Sequence, residues 1–172
     1  MEEAGEKISR SHKIEDIFKV VKDEIASSKN KRLLPPLVLL LVDIDNLERI
    51  NRWYGRSAGN EILESAVKIL NKLISPKDIL VRFGGDEFLI LLRDTTLKEA
   101  KEKARQIIDA IKTHEFASQK IKISVSIGLA HYFSFAFSTD EFIGCVVEAL
   151  TLAQKEMGTF KVFMEEEEWD EE

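Results

Sequence analysis

Two pairs of acids stand out by where they fall in the chain. Asp43 and Asp45 sit where the apolar run 37–42 gives out, and Asp86 and Glu87 follow Gly84-Gly85 between two further apolar runs. A spacing of two puts the Asp43 and Asp45 carboxylates on one side of an extended chain. A carboxylate at the mouth of a buried strand is costly unless it meets a cation or hydrogen-bond donors. If the segment carrying Gly84-Gly85 folds beside the first strand, Asp43 and Asp86 converge on one point. Two hard carboxylates, a neighbouring backbone carbonyl and phosphate oxygens form the usual ligand set of Mg²⁺. The glycines would let a phosphate approach the backbone where a Cβ would block it. Taken singly, each piece reads as an ordinary turn; at two strand mouths together they point to a metal site.

The elements that must position these acids are legible from periodicity. Ile14, Ile17, Phe18, Val21 and Ile25 recur at helical spacing, and 29–36 breaks that helix. Residues 37–44 read as a strand buried on both faces. Leu47, Ile50 and Tyr54 suggest a short helix ended by Gly55, and Ile62, Leu63, Ala66, Val67 and Leu70 a longer one. Strands are expected at 79–83 and 87–92, joined by a hairpin in which Gly84-Gly85 supply positive φ. Thr96 is placed to cap a helix through Thr113, and 121–130 alternates as a strand. Thr139 or Asp140 can open a last helix, and 160–164 reads as a final short strand. This order predicts an α/β (α+β) domain, a mainly antiparallel sheet backed by helices. The expected organisation is a flexible segment at 1–12, one domain at 13–164 and an acidic tail at 165–172.

Composition narrows the class further. The net charge of −6 is concentrated at one end: 164–172 holds seven acids and no base, and the remainder carries 25 basic against 24 acidic residues, a net of +1. A like-charge block of that kind reads as a solvated tail. The rest has no basic excess, which argues against a nucleic-acid partner. No apolar run approaches bilayer length and no secretory leader pattern is visible, so a cytoplasmic protein without membrane attachment is expected. One cysteine, Cys145, lies in an apolar stretch and reads as a buried structural thiol. His12, His114 and His131 lack metal-ligand spacing. Phe133, Phe135 and Phe137 alternate and are expected in the core.

Longer motifs carry a resemblance. Asp43-Ile44-Asp45-Asn46-Leu47-Glu48-Arg49-Ile50-Asn51, with Tyr54-Gly55 and Gly59-Asn60-Glu61-Ile62-Leu63, resembles the opening block of GGDEF domains. Arg82-Phe83-Gly84-Gly85-Asp86-Glu87-Phe88 carries their signature, and Ser124-Val125-Ser126-Ile127-Gly128-Leu129-Ala130 and Lys155-Glu156-Met157-Gly158 resemble later motifs. The resemblance implies a palm-type, nucleotidyl-cyclase-like fold and a diguanylate cyclase that joins two GTP into cyclic di-GMP across a homodimer, transient or stable. It implies Mg²⁺ or Mn²⁺ held by Asp43, the Ile44 carbonyl, Asp86 and Glu87, with Asp86, Glu87 and Asp43 catalytic and Asp86 the proton acceptor. Substrate contacts would come from Asn51 and Asn60 on the guanine edge, and from Gly85, Arg56 and Lys155. An upstream sensory domain or a partner protein is a further expectation.

Departures from the family pattern support a second reading, a catalytically degenerate module that binds a nucleotide or a protein. Glu48 replaces a lysine, Asn60 an aspartate, Arg56 a histidine and Thr159 a basic residue. An aspartate accepts from both guanine N1–H and N2–H, whereas an asparagine offers one acceptor and one donor. Ser75 stands where the product-inhibition element Arg-x-x-Asp would carry arginine ahead of Asp78. The Asp-x-Leu-Thr-Gly-Leu motif that usually opens the family is also absent, as in an excised fragment or a divergent stand-alone domain.

Overall fold

Alternation between helical and extended periodicity resolves into ten elements. The computed structural model describes residues 12–31, 33–132 and 138–164. In order they are α1 (Ile14–Lys31), β1 (Leu37–Ile44), α2 (Leu47–Tyr54), α3 (Arg56–Leu73), β2 (Ile79–Arg82), β3 (Glu87–Arg93), α4 (Leu97–Thr113), β4 (Val125–His131), α5 (Thr139–Ala153) and β5 (Phe160–Val162). The five strands form one sheet in the order β2-β3-β1-β4-β5, antiparallel except for the β4–β5 pair. The expected α/β architecture, a mainly antiparallel sheet flanked by helices, is the observed one.

β1 is apolar throughout because it is the central strand and helices cover both of its faces. Val38, Leu40 and Val42 join Phe88 and Ile90 under α3 and α4, while Leu37, Leu39 and Leu41 join Leu89 and Leu91 under α1 and α5. A period-2 strand between two helical layers must be apolar at every position, so the first polar residue marks where cover ends. That residue is Asp43. An ion pair between Arg93 and Glu24, 2.6 Å, adds a link between the far end of β3 and α1.

Several boundaries differ from the sequence reading. β4 begins at Val125, not 121, because Phe116 and Ile121 pair in an isolated bridge that turns the chain first. Ile121 and Ile123 are apolar because they close the core beneath that turn. α5 opens at Thr139, one of the two expected residues, and Ser138 just before it forms a capping box with Glu141. β2 ends one residue earlier than expected, at Arg82; β3 runs one residue further, to Arg93; and β5 stops at Val162. Neither Gly84 nor Gly85 takes positive φ; Gly55 and Gly158 do. A four-residue connection, closed by Phe83 and Gly84 amides on the Glu87 carbonyl, replaces the expected tight turn. Cys145 is buried, as expected, and burial pushes its thiol pKa up. Residues 1–11, Phe133, Phe135, Phe137 and the 165–172 tail with Trp169 lie outside the described residues.

Gly128 sets how closely α5 approaches the sheet. A Cβ there would collide with the α5 backbone, falling 2.5 Å from the Val146 carbonyl oxygen and closer still to the Leu150 amide. Backbone cannot retreat as a side-chain tip can, so Gly128→Ala should cost about 1–3 kcal/mol or more through overpacking. Gly144 on the same helix has nothing within 4 Å of its would-be Cβ. Gly144→Ala should therefore be neutral or stabilise by up to about 1 kcal/mol from helix propensity. Urea unfolding of both variants checks this; equal effects would mean that α5 does not sit on Gly128.

Candidate active site

The close seat of α5 brings its C-terminal end against the end of β1. Gln154 Nε2 donates to Asp43 Oδ2 at 2.9 Å, a contact between residues 111 apart in sequence. Asp43 pairs directly with Glu87 across the β1–β3 ladder. One residue on, the Ile44 amide donates to the Asp86 carbonyl at 3.0 Å. An extended residue sends its N–H and C=O toward the same neighbour, so the Ile44 carbonyl opens toward Asp86 as well. Asp43, Ile44, Asp86 and Glu87 thus meet at one end of two adjacent strands.

The electrostatics of this end are set by burial and by acids crowding one another. Burial, opposed by the Gln154 hydrogen bond and reinforced by the charges of Asp86, Glu87 and Asp45, raises the Asp43 pKa to about 7. Burial and then the Asp86 charge raise that of Glu87. Among the described residues no three His, Cys, Asp or Glu side chains form a complete metal cage. The donors present are hard oxygens, two carboxylates and a carbonyl, which suits Mg²⁺, an ion that keeps waters and phosphate oxygens in its shell.

Asp45 does not share in this. Its carboxylate accepts from Ser124 Oγ at 2.6 Å, Ser126 Oγ at 2.7 Å and the Gly158 amide at 3.2 Å. It therefore ties β4 and the α5–β5 loop to the end of β1 and is satisfied within the protein. Sequence reading missed Gln154, Ser124 and Ser126 as positioning groups. Ser126, fully buried in an apolar strand, carried a signal, because a buried hydroxyl needs a partner. Gln154 carried none. Arg82 was also missed: Nε donates to the Gly84 carbonyl and Nη2 to the Gly85 carbonyl, at 3.2 and 2.5 Å, shaping the connection. Gly84 leaves room for the Glu87 carboxylate, and Gly85 is open to solvent space with nothing within 4 Å of its would-be Cβ.

The residues expected to touch substrate fall into two groups. Lys155 is exposed and follows Gln154 directly, at the acidic end. Asn51 on α2 and Asn60 on α3 form the second group, since a Cβ on Gly59 would strike the Asn51 amide. Asn51 Oδ1 is buried with no partner, and an orphaned acceptor of this kind suits a ligand donor. Arg56 is exposed at the first position of α3. Glu48, the acid expected to oppose phosphate, instead turns along α2 to pair with Arg52 at 2.5 Å. Asp78 is buried and accepts from the Ser75 amide and hydroxyl and the Arg93 amide, so it serves as a structural cap.

A pH prediction follows from Asp43. Its folded pKa lies above the ordinary 3.8, so the unfolded chain releases this proton first as pH rises. The associated stability is full below about pH 4 and is lost as pH climbs through about 7. In metal-free buffer, Asp43→Asn should gain on the parent by about 1–3 kcal/mol between pH 5 and pH 8. Denaturant unfolding across that range measures it; a difference independent of pH would show that Asp43 ionises normally.

Comparison with known proteins bears on this geometry. The family model described as diguanylate cyclase, GGDEF domain, matches residues 17–159. A protein named "Diguanylate cyclase A" of Treponema denticola is 34% identical over 98 residues, covering 56% of this chain and 26% of its own length. "Probable diguanylate cyclase DgcT" of Escherichia coli is 32% identical over 132 residues, covering 74% of this chain and 29% of its own. The chain thus spans between a quarter and a third of those relatives. The active GGEEF domain of a diguanylate cyclase from Vibrio cholerae superposes with a TM-score of 0.79 at 25% identity, over 88% of this chain and 97% of that one. Among the described residues no helix is long and apolar enough to cross a membrane. With the family model matched over most of its length and the same fold in a solved relative, the chain belongs to the diguanylate cyclase GGDEF-domain family.

Proposed function

We propose that this domain is a diguanylate cyclase that joins two GTP molecules into cyclic di-GMP, each held by one of two facing copies. The observation that carries the reading is the meeting of Asp43, the Ile44 carbonyl, Asp86 and Glu87 at the ends of β1 and β3, where burial leaves Asp43 poised for a cation. Mg²⁺ or Mn²⁺ bound by these oxygens would polarise the phosphates and offset charge on the attacking and leaving oxygens.

The chain's own groups do the rest. The 3′-hydroxyl of one GTP attacks the α-phosphorus of the other, forming a 3′–5′ phosphodiester as the α–β bridging P–O bond breaks. Asp86 takes the hydroxyl proton, and pyrophosphate carries away the bonding electron pair. A second, symmetric transfer closes the ring. Gly85 leaves the backbone open to phosphate, Lys155 and Arg56 supply positive charge, and Gln154 orients Asp43. Asn51 and Asn60 read the base from the α2–α3 corner.

A degenerate binding module is the second reading, and Asn60 is the observation that favours it. Incubation with Mg²⁺ and labelled GTP should give cyclic di-GMP and pyrophosphate. Asp86→Ala should lower the rate by about 10²-fold or more, the range for loss of a general base. Nucleotide binding without product in the parent would favour the module.

Base choice is a separate expectation. Asn60 cannot accept both guanine donors, so GTP and ATP should compete with similar affinity. Asn60→Asp should restore preference for GTP by about tenfold or more, the scale of one good bidentate base contact. A strong GTP preference in the parent that the substitution leaves unchanged would mean that position 60 does not read the base.

A further inference from the structure

A glycine inside a helix needs a cause, because alanine would supply helix propensity that glycine lacks. What a Cβ would meet tells the causes apart. Gly55, between α2 and α3, takes φ 87°, a conformation that residues with a Cβ rarely adopt. Gly128 lies under the α5 backbone, which cannot move aside. Gly59 shows neither cause. It is buried near the start of α3, and its φ is not positive. A Cβ there would overlap Asn51 Oδ1 and fall 2.8 Å from Asn51 Cγ and 3.2 Å from Asn51 Nδ2. The three nearest atoms thus belong to one group, the Asn51 side-chain amide.

The corner between α2 and α3 is built around that residue. The Gly55 amide donates to the Asn51 carbonyl at 2.9 Å, and the Gly59 amide donates to the Gly55 carbonyl at 3.4 Å. Asn51 Oδ1 occupies the space that Gly59 leaves, shut off from solvent, and no donor among the described residues reaches it. A buried acceptor without a partner costs stability. The fold does not require that cost. An alanine at 59 would displace only a side-chain tip, and the displaced amide would regain water.

We infer that Gly59 is a positioning residue, whose missing side chain fixes the Asn51 amide where a purine base is read. This rests on Asn51 as a base contact, part of the reading proposed above. Asn60 follows Gly59 directly, so the turn of α3 that leaves the space also carries the second amide assigned to the base. Gly128 and Gly59 therefore differ in kind. Substitution of the first disturbs the packing of α5, whereas substitution of the second disturbs one amide and leaves the helices in place.

Gly59→Ala, Asn51→Ala and the combined variant test this, with guanosine 5′-(α,β-methylene)triphosphate and Mg²⁺ as the probe. Its methylene bridge cannot release pyrophosphate, so binding is read without turnover. Inorganic tripolyphosphate, which has no base, is the second probe. Gly59→Ala should weaken nucleotide binding by about tenfold, the scale of one good base contact. Tripolyphosphate binding should not change, and Tm should hold or rise as helix propensity improves. The combined variant should bind no more weakly than Asn51→Ala, since both changes remove one interaction. A fall in Tm that Asn51→Ala rescues also supports the inference, because the clash is then with that amide alone. A fall that persists beside Asn51→Ala would make Gly59 a packing residue and overturn it. Additive losses in the combined variant, or equal weakening toward tripolyphosphate, would overturn it as well. Full nucleotide affinity in Gly59→Ala with Asn51→Ala weakened would overturn the inference and leave the base reading standing. Full affinity in both single variants, or none in the parent, would overturn both.

Discussion

The cost of a carboxylate at the end of a two-sided buried strand governs the architecture around Asp43. A lone buried charge in such a place is expensive, and the protein offsets it in two ways. Gln154 donates to it from the end of α5, and the proton stays bound up to about pH 7 when no cation is near. Both depend on α5 lying hard against β4, which Gly128 permits. The neighbouring Asp45 shows the opposite solution. Three donors, the Ser124 and Ser126 hydroxyls and the Gly158 amide, satisfy it within the protein. Two aspartates separated by one residue therefore differ in how far the protein satisfies them: three donors reach Asp45, and Gln154 donates to Asp43.

Sequence pattern was most informative where burial was uniform. The run 37–44, the capping Thr96 and the apolar stripe of α4 each match their elements, because local chemistry and tertiary cover agree there. Where two causes of burial overlap, the pattern misled. Ile121 and Ile123 alternate like a strand but close the core through a turn, so β4 starts four residues later than the alternation suggests. The glycines of the signature were read as turn formers by conformation. Their φ values are ordinary, and what they provide is room, filled at Gly84 by Glu87 and left open at Gly85. Convergence of Asp43 and Asp86 was legible because both lie at strand mouths. The donors that hold the site were not, since Gln154 and Ser126 meet β1 across 111 and 81 residues of sequence.

The departures from the family pattern are unequal in consequence. Glu48 is drawn along its own helix to Arg52, which removes much of its opposition to a phosphate. Thr159 donates to the Glu156 carbonyl at 2.7 Å and so finishes the loop after α5, at the expense of a cation. Asn60 is the substitution that local structure does not absorb, because it is exposed on α3 next to Gly59 and has no side-chain hydrogen bond among the described residues. On the proposed reading, erosion falls on the positions assigned to base and phosphate, while the acidic end keeps its two carboxylates and carbonyl in place.

That account stands or falls on the protonation of Asp43. Carbon-13 NMR of the aspartate side-chain carboxyls, titrated with and without Mg²⁺, reads it directly. The account predicts a resonance, assigned through its loss in Asp43→Asn, that titrates near pH 7 in metal-free buffer. Added Mg²⁺ should pull that titration toward the ordinary carboxylate range, because cation and proton compete for the same oxygens. An Asp43 carboxyl that titrates near pH 4 and ignores Mg²⁺ would contradict it.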